Sequence, residues 1–312
     1  MKSLKNVLMI LAISCSVLIL AGCGNNRKEA KDAPGKKVIG VTLLTKQHIF
    51  YQDLEKGLLS EAQKSGFTLE VLAAEFDPAK QANQVEDFIA KKVDAIVISP
   101  CDSRGIGAAI VEANKANIPV FTADIANLSK DGQVVAHIAS DNVEGGRQAG
   151  RLMANALEGK GSIAIINHPT VTSVLDRVEG FKEVLAMYPK IKIVADVSAL
   201  GQRANAMKVT EDILQKHADL NGIFGINDDS ALGALAAVTA AGKKGKIAIV
   251  GYDANPQAKE AITKGEMYGD AIQYPDKIGK LTMQTIVDYF AGKQVPKYVP
   301  VEVGSWTKAD AK

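Results

Sequence analysis

Four short apolar runs of the chain end abruptly in a residue with a planar polar side chain. They are "VFTAD", which ends in Asp124, "IFGIN", which ends in Asn227, "IVGYD", which ends in Asp253, and "GDAIQ", which ends in Gln273. A planar carboxylate or carboxamide can meet two neighbouring hydroxyl groups, because each hydroxyl both donates and accepts a hydrogen bond. These residue types therefore indicate recognition of a small polyhydroxylated molecule.

Aromatic and basic residues elsewhere complete the candidate set. The stretch "KQHIFYQ" contains His48, Phe50 and Tyr51, and Arg177 lies early in the helical pattern after "SIAIIN". Aromatic rings suit the C–H faces of a sugar ring. Each candidate also has a structural alternative. The alternatives are a core position for Phe50 and Tyr51, a surface ion pair for Arg177, a helix cap for Asp253, a solvated hinge position for Gln273 and no contact for His48.

The stretch "FGINDDSALGAL" contains a helix start as well as a candidate ligand residue. Asn and Asp both cap helices, since their side-chain oxygens accept hydrogen bonds from the free N–H groups of the first turn. We assign the cap to Asp228 and expect Asn227 to face the ligand. We expect structural or surface positions for His137, His168 and His217, because no sequence pattern indicates that they contact the ligand.

Regular alternation of β-rich runs and helical patterns must position these residues. We expect strands over 38–44, 67–73, 94–99, 118–123, 162–167, 191–196, 222–226, 246–252 and 267–272, with helices between them, for example 53–65, 79–91, 144–157, 174–187 and 229–240. The strand runs lack polar alternation, which is typical of parallel sheets covered on both faces. In such sheets ligands lie beyond the carboxyl ends of the strands. The pattern predicts an α/β fold of two doubly wound lobes that face each other across a cleft.

The first 22 residues have the features of an export signal. Lys2 and Lys5 precede the apolar run 7–20, whose length of about 21 Å as a helix is short for a membrane span of about 30 Å. The run ends in "LAGC", which resembles the bacterial lipobox, so we expect Cys23 to carry lipid. Residues 23–36 are polar and lack an apolar period, which predicts a disordered tether.

Charge and cysteine content argue against nucleic-acid binding, a disulfide framework and a metal site. The 312-residue chain has a formal net charge of +2, which the two lysines of the predicted signal supply. The remaining chain is formally neutral, whereas a nucleic-acid-binding domain carries a strongly basic patch. After removal of the signal and lipidation of Cys23, Cys101 is the one cysteine left, so we expect no disulfide framework, no metal site and no cofactor.

The chain resembles the type I periplasmic binding proteins of ABC transporters, and among them the ribose-binding-like sugar binders. The resemblance extends from Lys37 to about Val303. Its most specific stretches are "HIASDNVEGGRQAG", "DRVEGF", "NDDSALGAL", "IVGYDANP" and "IQYPDKIG". It implies two lobes joined by a hinge of three crossings near Ser140, Gln273 and 300–303. The N-terminal lobe would comprise 37–140 and 274–302, and the C-terminal lobe 141–273 and 303–312.

The resemblance also implies which residues contact the ligand. They are Phe50 and Tyr51 from the first loop, together with Asp124, Arg177, Asn227, Asp253 and the hinge residue Gln273, with His48 where ribose binders commonly have Asn. Two departures stand out: Ile125 replaces an Arg that many ribose binders have, and "DVSALGQRANAM" lacks an aromatic that often covers the sugar. A hydrogen bond to a charged group contributes about 1.5–3 kcal/mol. We therefore expect another pentose, a hexose, a sugar alcohol or a cyclitol rather than ribose, with a less polar edge toward Ile125.

The function implied by the resemblance is solute capture for import. The lobes would close on the ligand about the hinge, and the closed protein would deliver the ligand to the permease subunits of an ABC importer. We expect a monomer that is anchored by lipid outside the cytoplasm, in the periplasm or on the outer face of the cell membrane. A chemoreceptor is a further partner that the family permits.

Three other functions remain open at this level. An enzyme is the first, although the chain has no GxxxxGK[ST], GxSxG, HExxH or GxGxxG motif in the required context. A sugar-responsive transcription regulator would need a DNA-binding headpiece before Val38, where a signal and a tether stand instead. A receptor lipoprotein for a furanosyl signal or a nucleoside would share the fold and the cleft.

Overall fold

The computed structural model describes residues 37–311, and these form two six-stranded sheets with helices on both faces. The predicted signal, Cys23 and the tether lie outside the described residues. The strands are β1 (Val38–Leu43), β2 (Thr68–Ala73), β3 (Ala95–Ile98), β4 (Val120–Ala123), β5 (Val134–Ser140), β6 (Lys160–Asn167), β7 (Lys190–Ser198), β8 (Gly222–Gly225), β9 (Ala248–Asp253), β10 (Gly269–Ile272), β11 (Tyr298–Val301) and β12 (Gly304–Thr307).

Helices connect most of the successive strands. They are α1 (Ile49–Ser65), α2 (Pro78–Ala90), α3 (Gly107–Lys115), α4 (Asn142–Ala156), α5 (Thr172–Leu185), α6 (Arg203–Lys216), α7 (Asp228–Ala240), α8 (Pro256–Thr263) and α9 (Pro275–Phe290). A short 3₁₀ helix, Lys308–Asp310, follows β12. Within residues 37–311 no helix has the length and apolarity needed to cross a membrane.

The two sheets have the same internal order. The first runs β11-β5-β4-β3-β1-β2 and the second runs β12-β10-β9-β8-β6-β7. Neighbouring strands are parallel except β12, which runs antiparallel to β10 at the edge of the second sheet. The inner strands β3, β4 and β8 are buried along their whole length, as expected for sheets with helices on both faces. The predicted fold of two doubly wound α/β lobes is confirmed.

The chain passes between the two sheets at three places. It leaves β5 of the first sheet for α4, which packs on the second sheet, and it leaves β10 for α9, which packs on α1 and β5. The third passage is between β11, paired with β5, and β12, paired with β10. Three strands paired here, β5, β11 and β12, are absent from the strands expected from the sequence.

Glycines of the stretch 137–150 allow close packing at the start of the second lobe. A Cβ on Gly146 would lie 2.0 Å from the carbonyl oxygen of Arg177, and one on Gly145 would lie 1.8 Å from the hydroxyl of Tyr252. Helix α4 can therefore contact α5 and β9 closely. This packing places Asn142 of α4 beside Arg177, the candidate site residue that α5 carries.

Candidate ligand-binding site

A buried cavity between the two lobes brings together all eight residues predicted from the sequence. Its lining consists of His48, Phe50, Tyr51, Asp124, Arg177, Asn227, Asp253 and Gln273, together with Leu44, Ile125, His168, Val171, Ser173, Val174 and Ile226. A larger groove lies on the second lobe, and none of the eight residues lines it. The smaller cavity therefore matches the predicted site.

The aromatic residues reach the cavity from α1. This helix begins at Ile49, earlier than expected, so Phe50 and Tyr51 belong to its first turn and not to a loop. Both rings are buried and pack edge to face, with centroids 5.1 Å apart. The Tyr51 hydroxyl donates to Asp124 Oδ2 at 2.7 Å. Phe50 and Tyr51 therefore belong to the buried core and also line the cavity.

Asp124 follows β4 in a backbone conformation that few residues other than glycine adopt. Its φ is +68°, and its N–H donates to the carbonyl of Ile138 at 2.8 Å. Burial raises the pKa of Asp124, while the Arg177 guanidinium and the Tyr51 hydroxyl act in the opposite direction. Its second oxygen, Oδ1, is buried and has no hydrogen-bond partner within residues 37–311. A buried carboxylate oxygen without a partner is suited to accept a ligand hydroxyl.

Arg177 lies in the second turn of α5 and is held from three sides. Its Nε donates to Asn142 Oδ1 and its Nη1 donates to the carbonyl of Ile226, each at 2.9 Å. Its guanidinium carbon lies 4.0 Å from the centroid of the Tyr252 ring. Burial disfavours the charge, but Tyr252, Asp253 and Asp124 together raise the pKa of Arg177 above its ordinary value. The side chain is therefore a fixed cation and not a surface ion pair.

Asp253 and Gln273 form one unit at the hinge side of the cavity. Gln273 Nε2 donates to Asp253 Oδ1 at 2.6 Å, and Gln273 Oε1 is buried with no partner among the described residues. Burial raises the pKa of Asp253 to about 7, against the opposing effects of Arg177 and Gln273. The φ of Asp253 is +117°, a strained value of the kind that clusters at functional sites. Asn255, and not Asp253, caps α8.

The assignment of the helix cap in "NDDSALGAL" was wrong. Asn227 is the N-cap of α7: its Oδ1 accepts from the N–H of Ser230 at 2.8 Å, and its Nδ2 donates to the carbonyl of Gly201 at 3.0 Å. Asp228 is fully buried, and its Oδ2 accepts from the N–H of Asn255 at 2.7 Å. Asn227 therefore caps the helix and also lines the cavity. Its amide has a second N–H and a second lone pair beyond those used in these two bonds.

Two histidines lie on opposite sides of the cavity. His48 is at the N-cap position of α1, and its Nε2 lies 3.5 Å from Asp229 Oδ2 of the other lobe. Burial lowers the pKa of His48, while Asp229 raises it. Burial, with His48 and Arg177 nearby, lowers the pKa of His168 to about 4. Both rings are therefore neutral at neutral pH, and each offers one donor and one acceptor.

Two polar residues of the cavity lining, Ser173 and His168, were not among the residues predicted from the sequence. His168 was expected to be structural or on the surface, whereas it is buried in the cavity lining. It directly follows β6, so the strand-end rule that selected Asp124, Asn227 and Asp253 also selects His168.

A second pair of buried carboxyl groups lies outside the cavity. Asp228 and Asp270 are both fully buried, and a Cβ on Gly251 would lie 2.1 Å from Asp270 Oδ1 and 3.0 Å from Asp228 Oδ1. Burial and the neighbouring carboxyl of Asp270 raise the pKa of Asp228 well above its ordinary value, and burial raises the pKa of Asp270 to about 8. One carboxyl, in its acid form, can donate to the other. Among residues 37–311 no group of side chains is arranged to bind a metal ion.

Comparison with known proteins agrees with the fold. Residues 39–294 match the model of the family described as periplasmic binding protein domain. The ribose import binding protein RbsB of Escherichia coli is 33% identical over 304 residues, which cover 97% of each chain. The chain therefore belongs to the periplasmic binding protein family, in its type I, ribose-binding-like form. It is a solute-binding protein and not an enzyme, in agreement with the sequence prediction.

Solved structures of solute-binding proteins have the same fold as this chain. A solute-binding protein of an ABC transporter from Actinobacillus succinogenes with bound D-allose superposes with a TM-score of 0.82 at 31% identity, over 88% of this chain and 99% of that one. A myo-inositol-binding protein of Caulobacter with bound myo-inositol has a TM-score of 0.82 at 28% identity, over 88% and 92% of the two chains.

Proposed function

We propose that this protein captures a small neutral sugar or polyol outside the cytoplasm for an ABC importer. The observation that supports this most is the buried cavity in which planar polar groups from both lobes meet the aromatic rings of Phe50 and Tyr51. Such a mixture suits a ring that has hydroxyls at its edges and C–H groups on its faces. The relatives named above bind ribose, D-allose and myo-inositol, which are all small polyols.

The proposed ligand is a hexose, a sugar alcohol, a cyclitol or a pentose other than ribose. Ile125 is 1% exposed and lines the cavity directly after Asp124, so an apolar side chain stands where many ribose binders have Arg. Arg177 already has hydrogen-bond partners in the protein, and two carboxyl groups accompany it. An anionic sugar would therefore find no free cation to balance its charge.

We propose that ligand capture uses closure about the three chain passages. The moving lobes would be 37–140 with 274–302, and 141–273 with 303–312. Polar groups of both lobes line one cavity, so a ligand there makes its full set of contacts only when the lobes are together. A ligand shifts a conformational equilibrium only through such differential contacts. Closure would then report occupancy to the permease, or to a chemoreceptor.

We propose further that the protein acts as a monomer anchored by a lipid, such as palmitate, on Cys23. The support is the lipobox-like "LAGC" directly after an apolar run, followed by the polar stretch 24–36. Expression in a bacterium with a labelled fatty acid tests this. Label and membrane association should both be lost in Cys23→Ala and kept in Cys101→Ala.

A thermal-shift screen of the purified protein tests the ligand proposal. The panel comprises D-ribose, D-allose, D-fructose, L-arabinose, xylitol and myo-inositol, with adenosine and glucose 6-phosphate as contrasting ligands. A ligand that binds only the native state adds about 2.7 kcal/mol of stability at a hundredfold excess over its dissociation constant. A largest shift with D-ribose would overturn the argument from Ile125. A shift with adenosine alone would favour a nucleoside receptor.

A further inference from the structure

Three hydrogen bonds join the two lobes outside the cavity. The N–H of Ala126 donates to the Thr172 hydroxyl at 2.8 Å. The N–H of Thr172 donates to Ser103 Oγ, and the N–H of Ser103 donates to the carbonyl of Thr170, each at 3.0 Å. Ser103 and Ala126 follow strands of the first sheet, whereas Thr170 and Thr172 follow a strand of the second. We call these residues the cross-lobe clasp.

The clasp supplies a helix cap from the opposite lobe. Helix α5 begins at Thr172, and its N-cap residue is Val171, which makes no side-chain cap hydrogen bond. The first N–H groups of a helix have no partner inside the helix and need an acceptor. Here Ser103 Oγ provides one across the lobe boundary. Ser103 is fully buried and Thr172 is 7% exposed, so water is largely excluded from the bond between these two residues, whereas Ala126 is half-buried and Thr170 is exposed.

The clasp is directly connected to two candidate ligand residues. Ala126 is two positions after Asp124, and Thr172 is five positions before Arg177 on the same helix. Neither Ser103 nor Thr172 lines the ligand cavity. The three bonds hold the strand end that carries Asp124 against the helix that carries Arg177, and separation of the lobes would break all of them.

We propose that Ser103 and Thr172 are positioning residues: their cross-lobe hydrogen bonds stabilise the closed form and so set the affinity for the ligand without contacting it. The affinity part of this inference rests on the proposed function. Apparent affinity falls in proportion to the population of the binding-competent form. Loss of one net hydrogen bond corresponds to a change in Kd of about twofold to tenfold. The change falls on the dissociation rate, since closed complexes open more often.

Matched variants at one position test the affinity part. Thr172→Val removes the hydroxyl at nearly constant shape, whereas Thr172→Ser keeps it, and Ser103→Ala removes the acceptor from the other lobe. Calorimetric titration and stopped-flow mixing use each of D-allose, xylitol and myo-inositol that binds in the screen. We expect Thr172→Val and Ser103→Ala to raise Kd and the dissociation rate by the same factor for every ligand, and Thr172→Ser to retain both values. A change in selectivity among the sugars would instead indicate direct contact and overturn the proposal.

Hydrogen exchange of the ligand-free protein tests the clasp independently of any sugar. The Ala126 amide should exchange faster in Thr172→Val than in Thr172→Ser, and the Thr172 amide should exchange faster in Ser103→Ala than in the unmodified protein. If no sugar binds, the proposed function fails while the exchange rates still decide whether the clasp exists. Equal exchange in all variants, with equal Kd wherever a ligand is found, would overturn the inference.

Discussion

The two walls of the cavity differ in chemistry. The wall from the first lobe is mostly apolar or aromatic, with Leu44, Phe50, Tyr51 and Ile125 around one carboxyl group and one imidazole. The wall from the second lobe has more hydrogen-bonding groups, which stand beside three apolar side chains. The hydrogen-bonding groups are Arg177, Asn227, Asp253, Gln273, His168 and Ser173, and the apolar ones are Val171, Val174 and Ile226.

This difference separates shape recognition from hydrogen-bond recognition. Aromatic and aliphatic side chains exclude water and accept ligands with an apolar face, whereas fixed polar groups reject ligands whose hydroxyls are missing or displaced. A buried polar group left without a partner costs more free energy than a lost contact. The second-lobe wall, called here the polar wall, therefore rejects mismatched ligands more strongly than the first-lobe wall, called the apolar wall. We therefore expect substitutions in the second lobe to have the larger effects on affinity, and those in the first lobe to have smaller effects that depend on the shape and polarity of the ligand.

The largest effect is expected from Asp253→Ala in the polar wall. It removes a buried carboxyl and the partner of Gln273 Nε2. Because hydrogen bonds to charged groups contribute about 1.5–3 kcal/mol, Kd for the best ligand should rise by at least about tenfold. Calorimetric titration measures this, with Asp87→Ala, an exposed carboxylate on α2, as the control. Unchanged affinity would remove Asp253 from the site.

A change of selectivity is expected from Ile125→Arg in the apolar wall. A guanidinium here adds a charged donor beside Asp124, so D-ribose should gain about tenfold in affinity relative to D-allose. Ile125→Leu, which keeps an apolar side chain, serves as the control and should leave the ratio unchanged. Competition between the two sugars in a titration provides the measurement. An equal loss of affinity for both sugars would show that the larger side chain overpacks the cavity and does not alter recognition.

A smaller effect is expected at the histidine that the sequence reasoning missed. His168→Ala removes one neutral donor and acceptor from the polar wall and should raise Kd by about twofold to tenfold. His168→Asn keeps an acceptor and a donor and should retain part of the affinity. His217→Ala, at a half-buried position outside the cavity, is the control. Equal Kd values for His168→Ala and the unmodified protein would restrict His168 to a packing role.

The smallest effect on Kd is expected for the acids behind the polar wall, which act on stability. Burial raises the pKa of Asp270 to about 8, so the folded protein holds a proton that the unfolded chain, with a carboxyl pKa of about 3.9, has released. The stability that this bound proton contributes is fully present below the pKa of the unfolded chain. It is lost as pH rises toward the pKa of the folded protein. Thermal unfolding temperatures should therefore fall between about pH 5 and about pH 8, and less steeply in Asp270→Asn. Asp212→Asn, an exposed control on α6, should keep the original slope.

The elements that could be predicted were those with strong local patterns. The buried inner strands and long helices appear close to their expected bounds, because an apolar run and a helical period are properties of neighbouring residues. The edge strands β11 and β12 were missed. They are short and partly exposed, and they become strands only because β5 and β10 offer free edges. Phe50 and Tyr51 were placed in the first loop, as the resemblance implied, whereas α1 begins at Ile49 with no side-chain cap from His48 to mark its start.

The sequence by itself determined the alternation of strands and helices, and with it the end of the sheet at which each polar residue lies. Asp124, Asn227 and Asp253 could be selected for this reason, since parallel strands present their carboxyl ends at one edge. Only the tertiary structure decided that Asn227 caps α7, that Asp228 is buried beside Asp270, and that Ser103 caps a helix of the other lobe. These outcomes depend on which groups remain without partners after packing, and residues far apart in the chain supply those partners.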